Sequence, residues 1–148
     1  MGPSIFEIKP AFHKVCRQAV AGLRDDRDRR FLEKLPEIAE ELAVLAWEPG
    51  PLNLDTEVEV YTAISIILDG SSRITEALEY QPFSSCLEEE IGKPLPDIQD
   101  IPEWVRRVIA AAYTDAIEGP IFRHKVVIRR LRSQKGLSQP PDVGGNQQ

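Results

Sequence analysis

The chain has 148 residues, of which 42% are hydrophobic and 28% are charged, and its formal net charge is −6 at pH 7. These values are typical of a single globular domain with its own core, and they argue against a chain that is disordered throughout. Its apolar runs are far shorter than the roughly 20 residues of a membrane-spanning helix, so we expect no membrane partner.

The charge is unevenly distributed along the chain. Residues 1–34 have a net charge of +3, and residues 35–122, with four basic and eighteen acidic side chains, have a net charge of −14. Residues 123–148, with six basic side chains and one acidic side chain, have a net charge of +5. An acidic body between two basic ends is informative about partners rather than about fold.

The first two segments have apolar residues at helical spacing. In the first, which we expect to begin near Pro10, they are Phe12, Val15, Cys16, Ala19, Val20 and Leu23. The second runs from Phe31 to Ala46 but contains Pro36, which removes a hydrogen-bond donor. The helix is therefore expected either to kink at Pro36 or to restart there, and we prefer a restart that continues to about Trp47.

Residues 56–68 fit two patterns. Val58, Val60, Ile64 and Ile66 alternate with other residues as in a strand, whereas Val60, Ala63, Ile64, Ile67 and Leu68 share one helix face. We prefer a helix, with Asp55 as N-cap, because the sequence offers no convincing second strand to pair with.

Shorter helices are predicted further along the chain. Ser72 is placed as the cap of a helix over 73–80, and Ser85 with Glu88 has the spacing of a capping box. A second such box, Asp100 with Glu103, precedes a long apolar stripe that ends at Gly119. A last helix is expected from Pro120.

These elements predict an all-α fold, an irregular bundle of five to seven helices. The alternative is an α+β fold if residues 57–67 form a strand. Residues 1–135 are expected to form a single helical domain, and residues 136–148, rich in Gly, Pro and Gln, a flexible polar tail.

The leading candidate site is a cluster of cations that we call the basic C-terminal stripe: Arg123, Lys125, Arg129, Arg130, Arg132 and Lys135. Such a stripe suits an acidic protein surface, which includes the acidic body of a second copy, or the phosphates of a nucleic acid. The alternative is a solvated helix face whose cations complement the helix C-terminus.

Four other clusters have weaker claims. The first is a run of mixed charge, which we interpret as a solvated loop or helix end: Arg24, Arg27, Arg29 and Arg30, interspersed with Asp25, Asp26 and Asp28. The second is an acidic run, which we interpret as a solvated face: Glu88, Glu89 and Glu90 with Asp97 and Asp100. The only cysteines and histidines, which could bind zinc if brought together, are His13, Cys16, Cys86 and His124. Glutamates at helical spacing, as in all-α magnesium enzymes, are Glu37, Glu40 and Glu41 in one segment and Glu76 and Glu79 in another. We expect no metal or other cofactor.

We therefore expect a non-catalytic, cytosolic adaptor or regulatory subunit that docks on a protein partner through the basic C-terminal stripe. The two cysteines are expected to be reduced thiols. The first alternative is a small helical nucleic-acid-binding subunit that uses the same stripe. The second is a magnesium-dependent nucleotide hydrolase that uses the paired glutamates.

Overall fold

The computed structural model describes residues 2–46 and 57–118, and these two ranges contain six α-helices and no strand. The helices are α1 (Ile5–Gly22), α2 (Asp26–Ala46), α3 (Glu57–Asp69), α4 (Ser72–Ala77), α5 (Phe83–Ile91) and α6 (Glu103–Glu118). The all-α prediction is confirmed, and the strand alternative for residues 57–67 is wrong. The predicted cap Asp55, the helix from Pro120 and the tail over 136–148 lie outside the described residues.

One hydrophobic core joins all six helices. Helix α1 packs against α2, α3, α4 and α5, while α6 packs against α2 and α3. At the centre, the ring of Phe12 lies 5.0 Å from that of Tyr61 and 5.4 Å from that of Phe83. Because aromatic pairs at these distances add to the energy of apolar burial, this contact ties α1, α3 and α5 together.

Helix α1 begins earlier than the predicted start near Pro10. The backbone N–H of Ser4 donates a hydrogen bond to the Glu7 side chain at 2.8 Å, and Ser4 is the N-cap. Pro10 therefore lies in the second turn, where its missing N–H leaves the Phe6 carbonyl without its helical partner. Phe6 is on the exposed side of the helix, where water can satisfy that carbonyl.

Helix α2 continues through Pro36 as one element, so the predicted restart is wrong. Proline inside a helix costs about 3 kcal/mol. The residues on both sides of it, however, belong to one fully buried stripe: Leu32, Leu35, Ile38, Ala39 and Leu42. Burying a single aliphatic side chain contributes about 1.5–3 kcal/mol, so a continuous helix that keeps this stripe in the core outweighs the lost hydrogen bond.

Helix α3 is the central helix, which explains its ambiguous pattern. Its buried residues point to several sides and include two polar ones, Thr62 and Ser65. Their hydroxyl groups donate to the carbonyl oxygens of Val58 and Tyr61, four residues earlier, at 2.8 Å. A helix that is buried on most sides carries apolar residues at both helical and alternating spacings. The periodicity of the sequence alone therefore did not distinguish a helix from a strand.

The shorter helices begin at other residues than predicted. Ser71, not Ser72, caps α4, and α4 ends at Ala77 rather than Tyr80. Helix α5 begins at Phe83, so the predicted capping box at Ser85 does not form.

Instead, Asp69 at the end of α3 accepts hydrogen bonds from the backbone N–H of Ser84 at 2.9 Å and from its hydroxyl at 2.5 Å. The cap of α5 is thus supplied by another helix.

Helix α6 follows directly after Pro102, and the predicted box at Asp100 is replaced by this proline. Its first backbone hydrogen bonds run from the N–H groups of Val105 and Arg106 to the carbonyl of Pro102. Across the described ranges, no helix combines the length and the apolar character needed to cross a bilayer.

Candidate functional site

The six residues of the basic C-terminal stripe lie outside the described residues. The structure therefore describes the body that precedes the stripe. Features of that body include three clefts, of about 280, 270 and 580 Å³, and one buried polar cluster. The cluster is next to the first of these clefts and close to the end of α6.

The first cleft, with a volume of about 280 Å³, lies between the C-terminal end of α1, the turn into α2 and helix α4. Its lining residues are Gly22, Leu23, Arg24, Asp25, Asp28, Arg73, Glu76 and Ala77. Three carboxylates and two guanidinium groups thus line this space, which we call the α1–α4 cleft.

Three residues from three helices meet at the wall of this cleft, and we call them the Asp28 cluster. The Tyr113 hydroxyl of α6 donates to Oδ1 of Asp28 at 2.6 Å, and Nη2 of Arg73 in α4 donates to the Tyr113 oxygen at 3.1 Å. Nε of Arg73 lies 3.2 Å from Oδ2 of Asp28. This ion pair has no well-directed hydrogen bond, so Oδ2 is buried without a hydrogen-bond donor among the described residues.

Burial governs the electrostatics of the cluster. The Asp28 side chain is 5% exposed, whereas that of Arg73 is 55% exposed. Desolvation, followed by the hydrogen bond to Asp28, raises the pKa of the Tyr113 hydroxyl. The Arg73 guanidinium also lies 5.9 Å above the Tyr113 ring, where a cation is attracted by the π electrons. Tyr113 therefore stays protonated and acts as a hydrogen-bond donor.

The turn beside the cluster is held by Asp25. Its Oδ1 accepts hydrogen bonds from the backbone N–H groups of Arg27 at 2.7 Å and Asp28 at 3.4 Å. This is the geometry of an N-cap, which satisfies N–H groups that have no partner in the first helical turn. The Arg27 side chain, the largest influence, and these backbone bonds lower the pKa of the Asp25 carboxyl.

Sequence reasoning assigned Asp28 to a solvated run of mixed charges, and this assignment is wrong. Arg27 and Arg29 do form surface ion pairs with Asp25 and Asp26, as such runs usually do. Asp28, however, lies three residues before Phe31 and so extends the buried stripe of α2 toward its N-terminus. The three-residue spacing between Asp28 and Phe31 was the feature of the sequence that could have predicted the burial of Asp28.

The second cleft, of about 270 Å³, contains the predicted His13 and Cys16 pair. Cys16 is 2% exposed, and burial raises the pKa of its thiol well above the ordinary value. Cys86 lies half-buried on α5, where desolvation and then Glu89 raise its thiol pKa. Both cysteines are free thiols, and His124 lies outside the described residues. The described ranges contain no group of three or more His, Cys, Asp or Glu side chains that could hold a metal ion.

The glutamates considered for magnesium do not converge. Glu40 is near the N-terminal part of α1, 4.0 Å from Nζ of Lys9, which also pairs with Glu57 at 3.5 Å. Glu76 lines the α1–α4 cleft beside Gly22. Lys9 and Gly22 are about 20 Å apart along α1 at 1.5 Å per residue, so these carboxylates belong to opposite ends of the bundle.

The acidic run of α5 is largely engaged in contacts within the protein. Glu90 pairs with Lys14 of α1 at 3.0 Å, and Glu88 accepts a hydrogen bond from the backbone N–H of Leu95 at 2.8 Å. Glu89 is exposed. The run therefore anchors α5 and the following loop in addition to facing solvent.

No family model, curated protein sequence or solved structure matches this chain. The function proposed below rests on the residues of this chain alone.

Proposed function

We propose that this protein is a non-catalytic, cytosolic adaptor or regulatory subunit that binds an acidic surface of a protein partner through the basic C-terminal stripe. The supporting observation is the separation of charge. The described residues contain twelve basic and twenty-one acidic side chains, whereas residues 123–135 contain six basic side chains and no acidic one.

The ion pairs of the body add to this separation. Many basic side chains of the described ranges lie within 4.0 Å of a carboxylate of the same chain: Lys9, Lys14, Arg27, Arg29, Arg73, Lys93 and Arg107. Their charge is offset locally, so the body presents an excess of carboxylates. An acidic partner is repelled by the body and attracted by the stripe, and this orients the encounter.

The same stripe suits nucleic acid, which is the second function to be tested. The acidic body weakens long-range attraction to a polyanion, and the cations of the stripe have no aromatic residue among them for base stacking. These two features favour a protein partner.

The experiment begins with capture of the tagged full chain from its native host at low salt, with and without nuclease, followed by mass spectrometry. A candidate partner is then purified, and its association rate is measured over a range of salt concentrations. The stripe variant is Arg129→Glu with Arg132→Glu. We expect its association rate to fall by about tenfold or more and its salt dependence to flatten, because steering charges act mainly on association.

The matched control is Arg106→Glu with Arg107→Glu on α6. Both residues are exposed, and the change in net charge is the same. An equal loss of association in the two double variants would show that net charge alone matters and would overturn the proposal. Loss of all captured material on nuclease treatment would assign the stripe to nucleic acid instead.

A further inference from the structure

The second cleft lies between α1 and α2, and we call it the α1–α2 cleft. Its volume of about 270 Å³ is just below the range of pockets that enclose drug-sized molecules. Its floor is apolar: Cys16 is 2% exposed, Leu32 and Pro36 are buried, and Val20 is half-buried. The cleft therefore suits a small ligand with a short apolar group.

One cation and one carboxylate line this cleft from its two walls. Arg17 belongs to α1 and Glu33 to α2, and both are exposed. Burial raises the pKa of the Cys16 thiol, and the positive charge of Arg17 opposes that rise. The guanidinium of Arg17 therefore lies near the floor of the cleft.

These two charges are not neutralised by contacts within the protein. Neither Arg17 nor Glu33 forms an ion pair, within 4.0 Å, with the other or with any other described residue. The two lysines of α1, Lys9 and Lys14, are in contrast both paired with carboxylates. The α1–α2 cleft is thus neutral in net charge, but it presents an unpaired charge of opposite sign on each wall.

The neighbouring third cleft lacks this arrangement. It shares Val20 and Glu33 with the α1–α2 cleft, but its Asp26 and Arg29 are paired with each other. The unpaired opposite charges and the apolar floor come together in the α1–α2 cleft.

We propose that the α1–α2 cleft binds a free aliphatic amino acid, such as leucine or valine. Arg17 holds the carboxylate, since a guanidinium group can donate two parallel hydrogen bonds to it, and a ring nitrogen of the half-buried His13 can donate another. Glu33 holds the ammonium group, and the aliphatic side chain is buried against the floor. This site is separate from the basic C-terminal stripe, so the inference does not depend on the proposed function.

NMR titration of the ¹⁵N-labelled full chain tests the proposal with four probes: L-leucine, 4-methylpentanoate, 3-methylbutylamine and glycine. The second probe is leucine without its ammonium group, the third is leucine without its carboxylate, and glycine has both charges but no side chain. We expect leucine to shift the amide signals of the lining residues on α1 and α2. It should bind about tenfold or more tightly than each other probe, because each of these lacks one of the three contacts.

Arg17→Gln and Glu33→Gln should each weaken leucine binding by about tenfold, although they change the net charge in opposite directions. Lys34→Gln is the control, because Lys34 is exposed, follows Glu33 directly and does not line the cleft. It should leave the affinity unchanged. All three side chains are exposed, so none of the substitutions removes a part of the core.

Three results would overturn the proposal. The first is the absence of signal changes in the cleft at millimolar leucine. The second is equal binding of leucine and 4-methylpentanoate, which would show that the ammonium group has no partner. The third is an equal loss of affinity in Lys34→Gln and Arg17→Gln, which would assign the effect to net charge instead of the cleft.

Discussion

Asp28 occupies a position in the buried stripe of α2 although it carries a charge. Its two partners are Arg73 of α4 and Tyr113 of α6, which follow it in the sequence by 45 and 85 residues. A buried carboxylate is tolerated only when it is paired and hydrogen-bonded. The Asp28 cluster therefore fixes where α4 and α6 sit relative to the start of α2.

Tyr113→Phe should destabilise the fold by about 1–3 kcal/mol, because it removes the donor to Oδ1 of a buried carboxylate while keeping the ring. The ring packs edge-on against Phe31, with centroids 5.3 Å apart, and this contact persists in the variant. Urea unfolding followed by circular dichroism measures the change. Tyr80→Phe is the control, because Tyr80 is 78% exposed; equal effects of the two substitutions would contradict the role given to the Asp28 cluster.

At Glu79, in contrast to Asp28, the backbone conformation matters more than the charge of the side chain. Its φ is +59°, and its N–H and that of Tyr80 donate to the carbonyls of Glu76 and Thr75. This is the pattern of a Schellman motif, in which glycine is preferred at the left-handed position.

We expect Glu79→Gly to stabilise the protein by about 0.5–1 kcal/mol, since glycine adopts this backbone conformation without steric strain. Thermal unfolding of the variant measures the gain. Glu79→Ala removes the same charge but keeps a Cβ, so it should bring no comparable gain. A gain shared by both variants would assign the effect to charge instead.

At the scale of the elements, the contact between α1 and α4 depends on the absence of a side chain at Gly22. A Cβ at this position would lie 2.5 Å from the carbonyl oxygen of Ala77. Backbone atoms cannot be displaced as cheaply as a flexible side chain.

Gly22→Ala should therefore cost about 1–3 kcal/mol, the range for overpacking, and it should widen the α1–α4 cleft. Gly70→Ala is the matched control, because its Cβ would meet only the Ile67 carbonyl oxygen at 3.5 Å. Denaturant unfolding of both variants checks the prediction, which would fail if Gly22→Ala were as stable as Gly70→Ala.

The start of α2 makes the stability of the protein depend on pH. The pKa of the Asp25 carboxyl is lowered from its ordinary value of 3.8 in the folded protein. The charged cap therefore contributes stability that is fully present above that value and is lost as the pH falls through the lowered pKa.

Asp25→Asn keeps a capping side chain but removes the charge. We expect the variant to be less stable than the wild type at neutral pH and the difference to shrink as the pH falls below 3.8. Urea unfolding between pH 7 and pH 2 follows the difference. Asp25→Ala, which also loses the cap hydrogen bonds, should differ from Asp25→Asn by a constant amount. A difference between wild type and Asp25→Asn that does not change with pH would contradict this account.

At the scale of the whole molecule, the core is unevenly shared among the helices. Most of its fully buried side chains belong to α1, α2 and α3, whereas α4 has six residues and buries only Ile74. Regions with few buried apolar contacts open locally at a lower free energy than the core.

Native-state hydrogen exchange should therefore find the slowest amides in α1, α2 and α3, with amides of α4 exchanging on the order of 100-fold faster. Since α4 carries Arg73 and Glu76, this opening would also open the α1–α4 cleft. Exchange from α4 as slow as from α1 would show that the Asp28 cluster and the core open as one unit.

The sequence predicted helices where one apolar stripe repeats, as in α1 and α6, because the face that packs in the core imposes its period on the residues. The sequence did not predict contacts between residues that are far apart along the chain. Ser85 has the spacing of a capping box, yet Asp69 of another helix caps α5 instead. The charge separation could be predicted from the sequence. The Asp28 cluster could not, because its residues come from three different helices.

The sequence by itself determined that the chain is helical, which faces of the main helices are apolar, and that net positive charge lies in residues 1–34 and 123–148, on either side of an acidic middle segment. These properties depend on residue type and local spacing, which are written in the chain. Only the tertiary structure decided that α2 continues through Pro36, that Asp28 is buried and that α4 approaches Gly22. Each of these depends on the free energy of packing against segments far along the chain, and local spacing contains no information about that energy.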